Sequence, residues 1–246
     1  MRVSIFTTTY NAINRGEPYH ESMACYRDLA DEVVEVADPW PDEFEWDFIG
    51  QQFQKGYERA TGDWVIHMDI DFLFHEDDLD DIRKALKQHD DQPGITFWKY
   101  QIFHPKYYNL KSRLVLAVNK GKYGDRIRFD GGGDLCQPTL DGHTLDPNQM
   151  PEARVPFYNY DETFKTKEQL KESKGKFARA WGRSFGEYKW GGPDDESAFA
   201  SWLNDQHGRF DNHSLLNRSH PVYIQDKLNN ITPDMFGYDL FGGLRA

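Results

Sequence analysis

Cysteine is scarce in this chain: 246 residues include two, Cys25 and Cys136. Neither stands in a CxxC or a Cys/His cluster, so no zinc site is signalled, and two lone cysteines fit a reducing cytosol. No apolar run is long enough to cross a bilayer. The opening MRVSIFTTTY is too short and too polar for a signal peptide. Internal repeats and low-complexity tracts are absent. The expectation is a soluble cytoplasmic protein (host cytoplasm for a viral one), with no membrane span and no obligate protein partner. Apolar residues are sparse at 38%, but aromatics reach 15%, and large rings support a core with few members. So aromatic a chain is not disordered, and its length suits one domain with a real core.

Positive charge is scarce in the first part of the chain. Residues 1–98 hold 8 Lys/Arg against 22 Asp/Glu, residues 99–189 hold 17 against 11, and residues 190–246 hold 4 against 8, together giving the net charge of -12. The basic middle third suggests something anionic there, against the plainer reading that solvated faces vary.

Residues 1–90 alternate strand and helix patterns. Val3 to Thr8 reads as a strand, and Pro18 opens a helix with Tyr19, Met23, Tyr26 and Ala30 on one face. Val33 to Val36 is a second strand. Ile49, Phe53, Tyr57 and Ala60 mark a helix that Gly62 can cap. Trp64 to Met68 is a nearly continuous apolar strand, as expected for one covered on both faces. Leu79, Ile82 and Leu86 mark a helix with Glu76, Asp77 and Asp78 in its first turn. This order predicts parallel strands with right-handed crossovers. Beyond Gly94, strands are expected at Ile95–Phe103, Arg113–Val118 and Arg126–Phe129, with NKGKYGD as a hairpin turn between the last two. Residues 131–160, rich in Gly, Pro, Asp and Asn, read as long loops. Thr166 with Gln169 forms a capping box before the stripe Leu170, Lys174, Phe177, Trp181. Pro193 and Asp194 precede a helix with Phe199, Trp202 and Leu203 inward.

The segment WVIHMDIDFLF carries the strongest chemical signal. An apolar strand runs into Asp69-Ile70-Asp71, and ligands of open α/β sheets bind beyond the carboxyl ends of the strands. Two carboxylates there are hard ligands for Mg²⁺ or Mn²⁺, completed by substrate phosphates and water.

In these residues the chain resembles the GT-A glycosyltransferases, especially the large family 2. Thr8-Thr9-Tyr10-Asn11 stands where that family has a PTYN-like motif, with Thr8 in place of the usual proline. Asp38, after the second strand, matches an acidic residue that meets the nucleotide's base or ribose. Ala60-Thr61-Gly62-Asp63 matches the end of the helix before the metal-binding DxD, here Asp69 and Asp71. Gly191-Gly192-Pro193-Asp194-Asp195-Glu196 stands for the acidic pair that supplies the catalytic base, with Asp194 where glutamate is usual. The resemblance covers residues 3–75 well, 190–203 moderately and the rest thinly. It implies a GT-A-type (Rossmann-like), mostly parallel α/β sheet flanked by helices, with an acceptor-side hairpin and loop region. Residues 1–246 would be one domain, with 1–98 as the nucleotide-sugar half and 99–246 as the acceptor half and tail.

The activity so implied is metal-dependent transfer of a sugar from a nucleotide-sugar donor, a UDP-sugar by preference, to an acceptor hydroxyl with inversion. Thr8, Thr9, Tyr10, Asp38 and Asp69 would hold the donor. Asp69 and Asp71 would hold Mn²⁺ or Mg²⁺, with His220 as third ligand and His75 as runner-up. Asp195, seconded by Asp194, would be the base, although a helix start lowers a carboxyl pKa and weakens it for that role. For the acceptor, Lys165, Lys167, Lys171, Lys174, Lys176, Arg179, Arg183 and Lys189 follow Tyr158, Tyr160 and Phe164. Basic groups interleaved with aromatics suit nucleic acid or another polyanion, such as hydroxymethylated bases in viral DNA. A polysaccharide or lipid-linked sugar is the alternative, and a solvated helix face the plainer one. A haloacid-dehalogenase-type phosphatase wants Thr or Val where Leu73 stands. A nucleotidyltransferase wants a Gly-rich basic loop where TTTYNAINRG stands. A non-catalytic nucleotide-sugar-binding module is the competing class, which turnover decides.

Overall fold

The computed structural model describes residues 1–130, 136–188, 191–210 and 213–238, without the side chains of 209 and 210. In chain order the elements are β1 (Val3–Thr8), α1 (Tyr19–Leu29), β2 (Glu32–Val36), α2 (Trp46–Arg59), β3 (Trp64–His67), β4 (Phe72–Leu73) and α3 (Leu79–Gln88). Then come β5 (Gly94–His104), β6 (Tyr107–Asn119), α4 (Lys120–Tyr123), β7 (Ile127–Arg128), β8 (Thr139–Leu140), β9 (His143–Thr144) and β10 (Glu152–Asn159). The chain continues through α5 (Lys167–Phe185), α6 (Asp195–Phe210), β11 (Ser214–Leu215) and α7 (Val222–Asn229).

The main sheet runs β2-β1-β3-β6-β5-β10-β4, with β11 added to β6. It is an α/β arrangement. β1 pairs in parallel with β2 and β3, and β10 in parallel with β5; β6 is antiparallel to both β3 and β5. The sheet therefore draws strands from both sides of residue 98. Ile5 and Ile66 face one apolar layer with Met23, Tyr26, Phe97 and Ile224, while Phe6 and Val65 face another with Phe53, Tyr57 and Phe129. Burial on both faces explains why β1 and β3 read as unbroken apolar runs rather than alternating ones.

Local structure departs from the sequence reading in three places. NKGKYGD is not a hairpin turn: it forms α4 and a 3-10 turn at Gly124–Arg126, and β6 hairpins back onto β5 instead. Within 131–160, β10 is an eight-residue strand between β5 and β4; residues 131–135 lie outside the described residues. Gly62 does not cap α2, which ends with Ala60 in extended conformation. A Cβ at Gly62 would lie 2.7 Å from the Ser4 backbone nitrogen, so glycine permits close approach to β1. Helices α1, α2, α3, α5 and α6 fall where the periodicity places them, whereas α7 has no counterpart in the sequence reading. Thr166 and Gln169 form the expected capping box of α5.

Candidate active site

The carboxyl ends of β1, β2 and β3 share one edge of the sheet, because these strands are mutually parallel. Asp69 and Asp71 lie in the turn that follows β3, closed by Phe72 N–H donating to the Asp69 carbonyl at 2.8 Å. Helix α1 pins this turn. The Tyr26 hydroxyl reaches the carbonyls of Asp69 (2.6 Å) and Phe72 (2.9 Å), and the Ser22 hydroxyl donates to the Ile70 carbonyl at 2.6 Å. The turn is thus held by bonds to its backbone carbonyls, not to its carboxylates.

Strand β10 delivers the rest of the site. Its last residue, Asn159, donates its side-chain amide to Asp71, and Tyr160 N–H donates to the Asp71 carbonyl at 3.0 Å. This places Asp161 beside Asp71, with Glu162 next along the chain, although the sequence pattern singles out neither. Lys165 binds Asp161 and, at 3.1 Å, Glu17 from the loop after β1. Lys174 of α5 binds Glu162 at 3.2 Å and approaches Asp161 at 3.8 Å. The Gln101 amide donates to Glu162 at 3.1 Å. Glu17, Glu162, Lys165 and Lys174 are buried, whereas Asp161 and Asp69 keep 37% and 41% of their side chains exposed and can meet a substrate.

Charge in this cluster is not balanced. Glu17, Asp69, Asp71, Asp161 and Glu162 outnumber the nearby Arg15, Lys99, Lys165 and Lys174. Burial pushes the Asp71 carboxyl well above the usual carboxylate range, and Asp161, Glu17 and Asp69 push the same way. Burial likewise raises Glu17 despite Lys165. Asp161 goes the other way: burial favours its neutral form, but Lys165 and Lys174 hold it far below its ordinary value. At Asp69 burial is likewise outweighed by His67, whose Nε2 lies 3.1 Å from Oδ1. Oδ1 of Asn159 and Oε2 of Glu17 are buried without a hydrogen-bond partner. Excess negative charge, hard oxygen donors and orphaned acceptor atoms suit a divalent Mg²⁺- or Mn²⁺-type cation, which needs one or two carboxylates when phosphates and water complete its shell.

Other anticipated site residues fall differently. Thr8 and Thr9 are buried at the end of β1 with Tyr10 partly exposed beyond them, and Asp38 follows β2 on the same edge. Asp38 is bound by Lys55 at 2.7 Å. His220 is not placed as a metal ligand: Nδ1 meets the Tyr160 hydroxyl at 2.8 Å and Nε2 the Pro105 carbonyl at 2.6 Å. Burial also lowers its pKa. His75 is similarly committed, to Ser219 (3.1 Å) and the Asp77 N–H (3.2 Å). Asp194 is a helix cap, accepting from Ser197 N–H at 2.8 Å. Asp195 meets Arg179 at 2.8 Å and packs onto Gly175, where a Cβ would collide with its carboxylate. Neither makes a described contact with the Asp69–Asp71 turn.

The basic segment is engaged internally. Lys165 and Lys174 serve the buried cluster, Lys171 pairs with Glu168 and Glu196, Lys176 with Glu172, and Arg179 and Arg183 with Glu43. Lys167 lies over the Phe199 ring, and Lys189 lies outside the described residues. Tyr158, Tyr160 and Phe164 are core rings rather than a stacking platform. The contrast in charge along the sequence is largely cancelled in space.

No family model matches this chain, and no curated protein matches it. Among solved structures it is similar to S. aureus TarS 1-349, at 11% identity over 94% of this chain and 79% of that one, with a TM-score of 0.38. The same protein in complex with UDP gives 11% identity, 96% and 80% coverage, and a TM-score of 0.41. No helix among the described residues is long and apolar enough to cross a membrane.

Proposed function

We propose that this chain is a metal-dependent glycosyltransferase that takes a sugar from a nucleotide-sugar donor. The observation carrying this reading is the convergence of Asp69 and Asp71, on the turn after a parallel strand, with the loop after β1 and with Asp161, two residues beyond β10. A divalent cation held by Asp69 and Asp71 would act as a Lewis acid toward the oxygens of the departing diphosphate. The ends of β1 and β2, with Thr8, Thr9, Tyr10 and Asp38, offer the nucleoside side of the donor site.

Asp161 replaces Asp195 as our candidate base. It is partly exposed, ionised and adjacent to Asp71, while Glu162 is enclosed by Lys174 and Gln101. The low pKa imposed by its lysines makes Asp161 a weak base, suited to accepting a proton late in the attack by the acceptor hydroxyl. A single carboxylate in that role implies one displacement, with inversion at the anomeric carbon. Internal pairing of the basic segment favours a saccharide acceptor, polysaccharide or lipid-linked, over a polyanion. The test is product formation from a panel of nucleotide sugars with Mn²⁺ and saccharide acceptors, repeated in EDTA and with Asp69→Asn. Turnover undiminished by EDTA would refute the metal role, and NMR showing a retained anomer would remove Asp161 from its place.

A further inference from the structure

Lysines near the site fall into two kinds. Lys165 and Lys174 are buried and bound to Glu17, Asp161 and Glu162. Lys99 differs: it makes no ion pair among the described residues, and its ammonium rests 5.2 Å from the centre of the Phe72 ring. Phe72 directly follows Asp71, so this places the cation over the turn that carries both carboxylates. Register confirms the side of the sheet. Lys99 pairs with Phe157 of β10, and Gln101, two residues on and therefore on the same face, reaches Glu162. Lys99 also lines a cavity of about 60 Å³ with Asp69, His67, Phe72 and Gln137, and Oε1 of Gln137 is a buried acceptor without a partner. The charge of Lys99 helps to hold both Asp69 and Asp161 in their ionised forms.

An uncommitted ammonium beside a carboxylate pair is unusual, since such pairs ordinarily close. Here Lys99 stays on an aromatic face, where the ring offsets part of its desolvation, and its long stem leaves the head free to turn. The incoming donor brings a diphosphate, whose charge a divalent cation shared with two aspartates does not fully neutralise. Lys165 and Lys174 cannot turn to it without abandoning buried carboxylates.

We propose that Lys99 binds the diphosphate of the donor directly, as a second positive contact beside the cation site of Asp69 and Asp71. This rests on the nucleotide-sugar reading above. It makes Lys99 a donor-binding residue that also stabilises the leaving group as its charge grows.

The experiment is calorimetric titration of wild type, Lys99→Met and Lys99→Arg with UDP, inorganic pyrophosphate and uridine, each with Mn²⁺. Circular dichroism checks that the variants fold. Charge-assisted bonds of this kind predict that Lys99→Met weakens UDP and pyrophosphate binding by roughly ten- to a hundredfold. Uridine affinity should stay unchanged, and Lys99→Arg should recover most of the loss. Equal UDP affinity in wild type and Lys99→Met would overturn the role of Lys99 and leave the donor reading standing. Lys99-dependent pyrophosphate binding without any nucleotide preference would keep Lys99 and overturn the nucleotide. No diphosphate binding by wild type would overturn both.

Discussion

Two acidic clusters in this protein look alike in sequence and differ in physics. Asp194, Asp195 and Glu196 open α6, and each finds a partner: the Ser197 N–H, Arg179 and Lys171. Asp69 and Asp71 follow β3, where Asp71 is buried among Glu17, Asp69 and Asp161, with orphaned oxygens nearby. An acid paired with a cation or a helix N–H stabilises the fold, whereas one buried among like charges favours a cation. Like-charge crowding, rather than acidity, separates a candidate metal site from a helix cap.

The largest break in this comparison should come from the turn itself. Asp69→Asn or Asp71→Asn is expected to reduce sugar transfer at least about a thousandfold in steady-state assays, while Asp195→Asn stays within about threefold of wild type. Comparable losses in all three would erase the distinction. Asp161→Asn should cost about a hundredfold or more in kcat with little change in donor KM.

A stability experiment sharpens the same contrast. The folded pKa of Asp71 is raised, so the unfolded chain releases that proton first as pH rises. Without metal, this carboxyl contributes stability below its unfolded value near 3.8, and loses it as pH climbs through the raised folded value. Asp71→Asn should therefore stabilise the metal-free protein at neutral pH by about 1 kcal/mol or more, roughly 2–4 °C in Tm. Thermal melts with EDTA at pH 4 and pH 7 test this, and a lower Tm for the variant at pH 7 would contradict it.

Smaller effects belong to the satisfied side. Arg179→Ala frees Glu43 and Asp195 and should cost about 1 kcal/mol, measured by urea titration, because the clasp is partly exposed and screened. Thr166→Ala removes the capping box of α5 and should cost about 1 kcal/mol without altering kcat.

Much of the first half was legible because its strands are covered on both faces and its helices carry regular stripes. β10 was missed because Pro156 interrupts its pattern, next to a register shift and the positive φ of Arg154. With β10 went the adjacency of Asp161 to Asp71 and the pairing of Glu162 with Lys174. The one cue was NYDET directly after the aromatic run, which is weak without knowing that a strand ends there. His220 and the basic segment misled for the converse reason, since the types suit ligands but their atoms are already bound.

What the sequence by itself determined is local: the α/β order, the apolar strands, the capping box, and two aspartates at the end of a covered strand. These follow from periodicity and from backbone groups that nearby residues satisfy. Only the tertiary structure decided which acids are crowded by like charges, that Lys165 and Lys174 face inward, and that Lys99 makes no ion pair over Phe72. Pairing between residues 148 positions apart, as for Lys165 with Glu17, depends on where the sheet brings strand ends together, and no local pattern encodes that distance.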